Sequence, residues 1–162
     1  MDIYFLTKKG EIMITIEKII PNKDEINELI ELSKEWEEEN ITFGYRKNSE
    51  EDIIDKTIFL AKENKEILGY IFAKEGISKN YGSVMKDGEA YFGIEEIYVK
   101  SDKRCLGLGK DLMDYAKRYA KENGYKYIFL CTSTKNWNKI LDFYVNKCDM
   151  TFYCASLVER LE

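Results

Sequence analysis

The sequence predicts a single mixed α/β domain, and three observations carry that expectation. The chain has 162 residues, 44% apolar and 14% aromatic, enough to bury roughly 70% of its unfolded surface and too hydrophobic for disorder. Its apolar residues switch repeatedly between the spacing of helices and the alternation of strands. It contains one proline, Pro21, no internal repeat and no Gly/Ser-rich linker, so nothing divides residues 1–162 into two domains.

Residues 1–10 read as an extra strand or an extension. Ile12, Ile14 and Ile16 then alternate as a strand does, and Pro21 stops it. From 22 to 40, Ile26, Leu29, Ile30, Ser33 and Trp36 fall at helical spacing, with Ser33 the one small interruption. Asp24, Glu25, Glu28, Glu31, Glu35, Glu37, Glu38 and Glu39 cover the other faces of this acidic helix. Ser49-Glu50-Glu51-Asp52 has the form of an N-cap and an acidic first turn, starting a short helix through Ile53 and Ile54.

The runs 57–61 and 67–73 read as strands, joined as a hairpin across Glu63-Asn64-Lys65-Glu66, where asparagine suits a tight turn. Residues 76–88 form a polar, glycine-punctuated loop, and 90–100 a long strand ending in Ile97-Tyr98-Val99. A helix over 107–122 puts Leu108, Leu112, Tyr115, Ala116 and Tyr119 on one face and stops at Asn123-Gly124. A continuous apolar strand over 127–131, buried on both faces, a short helix over 137–147 and a last strand over 150–158 complete the order. Six to seven strands with about four helices make a mixed α/β fold.

Thirty acidic and 25 basic side chains leave a net charge of −5, which argues against a nucleic-acid partner, since such binding draws its affinity from clustered Lys and Arg. No apolar run approaches the roughly 20 residues needed to cross a bilayer, and no leader pattern opens the chain. The expectation is a cytoplasmic protein without a membrane partner. Cys105, Cys131, Cys148 and Cys154 form no Cys-x-x-Cys pair and read as buried free thiols, with no metal site. There is no histidine. That excludes Ser-His-Asp and Cys-His nucleophilic machinery and leaves tyrosine, carboxylate, lysine, cysteine or the substrate to handle protons.

The chemistry begins at Arg104-Cys105-Leu106-Gly107-Leu108-Gly109-Lys110. Two glycines one residue apart, after a strand and opening a helix, let backbone amides approach an anion, and the helix terminus adds about half a positive charge. This is a seat for a pyrophosphate, flanked by Arg104 and Lys110. On spacing alone, tight packing or a plain turn accounts for the glycines equally well. A dinucleotide fingerprint fails because Leu112 stands where the third glycine belongs, and a P-loop fails because Asp111 follows Gly109-Lys110.

Here the sequence resembles the GNAT superfamily of acyl-CoA-dependent N-acyltransferases, whose signature is Arg/Gln-x-x-Gly-x-Gly/Ala after a strand ending in a hydrophobic-x-Val pattern. The chain supplies Ile97-Tyr98-Val99, then Arg104-x-x-Gly107-x-Gly109, then Tyr127-Ile128-Phe129-Leu130 and a helix containing Phe143-Tyr144. The resemblance covers roughly residues 90–160. Ser101 and Cys105 stand where the family often has Pro and Gly, and Asp149-Met150 replaces its common Gly-Phe.

The resemblance implies a central, mostly antiparallel sheet flanked by helices and an N-acetyltransferase that moves an acetyl group from the co-substrate acetyl-CoA to a primary amine by direct attack. It implies that the loop from Arg104 through Cys105, Leu106, Gly107, Leu108 and Gly109 to Lys110 holds the pyrophosphate. It further implies that a bulge frees the Ile97 N–H for the thioester carbonyl, that Val99 contacts pantetheine, and that Tyr144 is the general acid. A phenol of pKa about 10 protonating a thiolate whose acid is near 8.5 is uphill by about 2 kcal/mol, so Tyr144 must be tuned or act as a hydrogen-bond donor. Asn136 and Asn138 are weaker candidates for the cofactor arm.

Removal of the amine proton falls to a carboxylate or to solvent. Strand alternation puts Glu95 and Glu96 on opposite faces, so at most one meets the substrate, and Glu96 is the choice; a solvated glutamate is the competing reading. The acidic first helix and the loop Phe43-Gly44-Tyr45 lie where the family builds its acceptor cleft, which suits a cationic small-molecule amine or a peptide; a solvated acidic face is the competing reading of the helix. A homodimer follows the family's tendency. The alternative function is a non-catalytic acyl-CoA-binding sensor or interaction module on the same fold; a third reading is an unrelated nucleotide binder using the same loop.

Overall fold

A computed structural model describes residues 4–8 and 12–161. Six strands, β1 (Tyr4–Lys8), β2 (Ile12–Ile19), β3 (Thr57–Glu63), β4 (Glu66–Ile77), β5 (Ala90–Val99) and β6 (Ile128–Leu130), lie side by side in chain order. Every neighbouring pair is antiparallel except β5 and β6, which run parallel. Among the described residues four α-helices flank them: α1 (Lys23–Glu39), α2 (Glu50–Ile54), α3 (Leu108–Glu122) and α4 (Trp137–Leu141). The fold is the expected GNAT-like sheet, and the additional strand expected near the N-terminus is β1.

Local sequence explains the boundaries. Asn22 Oδ1 accepts from the N–H groups of Asp24 and Glu25 at 3.0 Å, and Glu25 returns a carboxylate to the Asn22 N–H at 2.9 Å, a capping box that opens α1. Asn64 and Lys65 take positive φ, 50° and 80°, the two-residue turn whose twist matches a hairpin. Gly124 (φ 82°) ends α3, with the Tyr125 N–H returning to the Ala120 carbonyl at 3.0 Å.

Two cores sit on the two faces of the sheet. On one, Phe59, Ile71, Phe92, Ile94 and Val99 pack against Leu112, Tyr115 and Ala116 of α3. On the other, Tyr70, Phe72 and Tyr98 pack against Leu29 and Leu32 of α1 and Ile53 of α2. Ser33, the small interruption of the acidic helix, is fully buried; its Oγ donates to the Ile30 carbonyl at 2.7 Å and accepts the Asn48 N–H at 2.9 Å. That pair pins the segment between α1 and α2 against the helix.

Four expectations need correction. No strand forms over 150–158: Asp149 turns left-handed at φ 50°, and residues 151–161 stay exposed without regular structure. Strand propensity there finds no edge in register to pair with, since β6 offers three residues. Those residues are half-buried, not buried on both faces. The helix over 137–147 divides, α4 passing into a π-helical turn over Asp142–Lys147. The cysteines are free, but only Cys148 is buried, packed into the α3-side core, while the other three are exposed. No helix among the described residues is long and apolar enough to cross a membrane.

Candidate active site

β5 organises the site because it loses its neighbour partway along. β6 pairs with Phe92, Gly93 and Ile94 only, so β5 from residue 95 onward has a partner in β4 alone among the described strands. The Lys100 N–H donates to the Leu68 carbonyl at 2.9 Å, and ladder alternation then turns the N–H groups of Ile97 and Val99 away from β4, into the gap. The Val99 carbonyl faces the same way, where the Arg104 Nε donates to it at 2.8 Å. Beyond the gap, Thr42 and Thr134 form an isolated antiparallel bridge, tying the segment after α1 to the segment after β6.

The bulge in β5 lies earlier than the resemblance implied. Phe72 opposes Glu96 and Ala73 opposes Ile94, leaving Glu95 without a counterpart; Ile97 stays in register with Ile71. This overturns the expectation that Glu95 and Glu96 face opposite ways. An extra residue resets the alternation, so both carboxylates reach the α1/α2 face and line one cleft of about 190 Å³ with Asn48, Asp52, Lys56 and Phe72. Glu95 pairs with Lys56 at 2.5 Å.

Glu96 is held by one oxygen. Its Oε2 accepts from Tyr45 Oη at 3.2 Å, Tyr70 Oη at 3.1 Å and Asn48 Nδ2 at 3.0 Å. Burial raises the pKa of this carboxyl above the ordinary range against the opposing pull of those donors. A raised pKa makes a stronger base, and a fixed geometry aims it. Burial and the neighbouring Glu96 charge push the Tyr45 phenol far up, so it stays a protonated donor. Sequence reasoning chose Glu96 but missed Asn48 and Tyr70, whose roles depend on the bulge and on the Ser33 anchor.

At the other end of the gap stands the N-terminus of α3. Cys105 and Gly107 both take left-handed φ, 62° and 88°, turning the chain so that Gly107 becomes the N-cap. Among the described residues no side-chain hydrogen bond caps this end, and the first N–H groups of an α-helix have no acceptor within it, so those of Leu108, Gly109 and Lys110 point where an anion could meet them. Leu106 is exposed beside them. Gly109 fits against the Phe143 ring, 3.3 Å from where a Cβ would stand, which brings the π-helical turn up to the loop.

The positive charge expected here is largely compensated. The Arg104 guanidinium makes a bidentate pair with Glu39 of α1, both contacts at 2.7 Å, and lies over the Tyr98 ring at 5.3 Å. Lys110 pairs with Asp114 at 2.5 Å, one helical turn on. Arg104 therefore offers the loop its backbone rather than its charge. Tyr144 packs with Phe143 against the α3-side core, and burial raises its phenol pKa. Asn136 and Asn138 are exposed at the start of α4. No group of acidic or cysteine side chains suited to a metal occurs among the described residues.

Comparison with solved structures places this architecture. An aminoglycoside acetyltransferase, meta-AAC0020, from an uncultured soil metagenomic sample superposes with a TM-score of 0.67 at 18% identity, over 92% of this chain and 97% of that one. Aminoglycoside N-acetyltransferase AAC(6')-Iy, solved with CoA, gives 0.67 at 18% identity over 96% and 98%. Ribosomal-protein-alanine N-acetyltransferase from Brucella melitensis gives 0.64 at 15% identity over 91% and 99%. At such identities the likeness is one of fold. No curated protein sequence matches significantly. The family profile described as "Acetyltransferase (GNAT) family" matches residues 24–148, a span that takes in the Glu96 cleft, the N-terminus of α3 and Tyr144, and by that match the chain belongs to the GNAT acetyltransferase family.

Proposed function

We propose that the protein is an N-acetyltransferase that uses acetyl-CoA and a small primary amine or peptide amine, and that the reaction is direct attack. The observation that carries the reading is the gap beside β5, with a helix N-terminus that has no side-chain cap at one end and a held, half-buried carboxylate at the other. The amides of residues 104–110 take the pyrophosphate, and the N–H groups of Ile97 and Val99 face the pantetheine arm and the thioester.

Proton handling follows from the residues present. An ammonium entering the 190 Å³ cleft meets Asp52, Glu95 and Glu96 against the single cation Lys56, a field that favours it. Glu96, directly or through water, removes a proton so that the nitrogen lone pair can attack the carbonyl carbon. The oxyanion that forms needs a fixed donor, which the Ile97 N–H supplies. When the C–S bond breaks, Tyr144 donates to the departing sulfur; its raised pKa suits hydrogen bonding as charge develops better than full early proton transfer. The unbonded cysteines, three of them exposed, support a reducing, cytoplasmic setting.

Leu106→Glu tests the seat. Leu106 is 59% exposed, so a carboxylate there sits at the seat without the backbone strain a side chain would meet at Gly107. Calorimetric affinity for acetyl-CoA should fall at least tenfold with Tm unchanged; unchanged affinity refutes the phosphate assignment.

A further inference from the structure

A second cleft, of about 420 Å³, runs on from the first and shares Glu95 with it. Its wall is aromatic: Tyr91 and Phe129 lie 5.6 Å apart at 63°, and Tyr81 lies 5.0 Å from Phe129. The wall is built into the sheet. Tyr91 lies across Gly76, its neighbour on β4, where a Cβ would stand 2.2 Å from the ring, and Gly93 leaves the floor beside it bare. Lys74 pairs with Asp55 and Glu95 with Lys56, both at 2.5 Å, and Glu75 keeps its charge while accepting from Tyr125 Oη at 2.8 Å.

The two clefts thus differ in chemistry. The first has uncompensated negative charge and suits an ammonium; the second has rings and a flat floor, and suits a body with an apolar face. A linear polyamine would put only a narrow methylene stem and a further cation here, leaving the floor at Gly93 and most of the ring faces of Tyr91 and Phe129 uncovered. Gly93 is two residues from Glu95, roughly 7 Å along the strand, the span of a short tether plus the radius of one ring.

We propose that the acceptor is an amine tethered to a ring, the amine entering the Glu96 cleft and the ring seated over Gly93 against Tyr91 and Phe129. This rests on the acetyltransferase reading, but the seat can be tested by binding as well as by turnover. Aromatic and sugar rings share the required apolar face. Tryptamine, glucosamine and putrescine are compared by calorimetry and by acetyl-CoA-dependent thiol release, with wild type, Tyr91→Leu and Gly93→Ala. Gly93→Ala keeps both rings and fills the floor, its Cβ standing 3.3 Å from the Tyr91 ring and 3.1 Å from the Lys74 carbonyl, so the ring gives by a few tenths of an ångström.

The expected result is tighter binding of at least one ring amine than of putrescine, and a rise of about tenfold in its Kd and KM in both variants that putrescine does not share. Which ring amine responds identifies the source of the ring. Ring-amine binding that is lost in the variants, without thiol release in wild type, upholds the seat and refutes acetyl transfer. Putrescine turned over as well as the ring amines, or equal effects of the substitutions on all three amines, overturns the seat and leaves acetyl transfer standing. Absence of ring-amine binding overturns it as well.

Discussion

Arg104 and Glu39 give opposite predictions under two accounts of the cofactor loop. If the guanidinium serves the pyrophosphate, Glu39 competes for it, and Glu39→Gln should tighten CoA binding while Arg104→Gln weakens it. In the structure the guanidinium is committed: two 2.7 Å contacts to Glu39, one of 2.8 Å to the Val99 carbonyl, and Tyr98 Oη donating to Glu39 at 3.2 Å. Hydrogen bonds to charged groups contribute about 1.5–3 kcal/mol each when well buried. With side chains 34% and 22% exposed, solvent screening brings the pair down to about 2 kcal/mol. For a chain of this length that is a fall in Tm of about 4–8 °C. Both substitutions should show it, their combination should add little more, and CoA affinity measured by calorimetry should move in the same direction, by less than about threefold. Tighter CoA binding in Glu39→Gln beside a loss of tenfold or more in Arg104→Gln, with Tm unmoved, refutes this reasoning.

Glu96→Gln should cut kcat/KM by about 10²–10⁴-fold without lowering Tm at neutral pH. The sign follows from burial: a carboxyl whose folded pKa is raised destabilises the fold when ionised, so its contribution falls as pH rises from the ordinary carboxylate range through the folded pKa and is constant above it. The acid limb of the wild-type kcat/KM profile should lie above the ordinary carboxylate range, and Glu96→Gln should remove it. Tyr144→Phe should lower kcat about tenfold or more and spare CoA affinity; full activity removes the donor role. Cys105, at φ 62°, occupies a conformation that costs a side-chain-bearing residue about 1 kcal/mol, so Cys105→Gly should raise Tm by about 2–4 °C, as thermal unfolding will show.

What the sequence revealed and what it concealed divide along physical lines. Features set by adjacent residues were legible: the Asn64-Lys65 turn, the Asn123-Gly124 stop, and the glycine loop opening α3 each have a local backbone reason. The bulge at Glu95 was not, because no glycine or proline marks it and only the register against Phe72 and Ala73 shows it. It decides which carboxylates share a cleft, so alternation counted from the sequence sent Glu95 to the wrong face. The Arg104 pair with Glu39 joins residues far apart in the chain, and Ser33 interrupts an apolar stripe for a reason that lies in the fold, the Asn48 N–H on its hydroxyl. Residues 150–158 had the composition of a strand, but a strand needs a partner edge, and the left-handed Asp149 directs the chain away from one.

The most direct test of the account is thiol release from acetyl-CoA across a panel of primary amines, with the acceptor product weighed by mass spectrometry. The account predicts that at least one amine gains a single acetyl group for each CoA released and that Glu96→Gln suppresses both signals together. Acetyl-CoA bound tightly by wild type with no thiol released for any amine would contradict it and make the protein a binder of acyl-CoA instead.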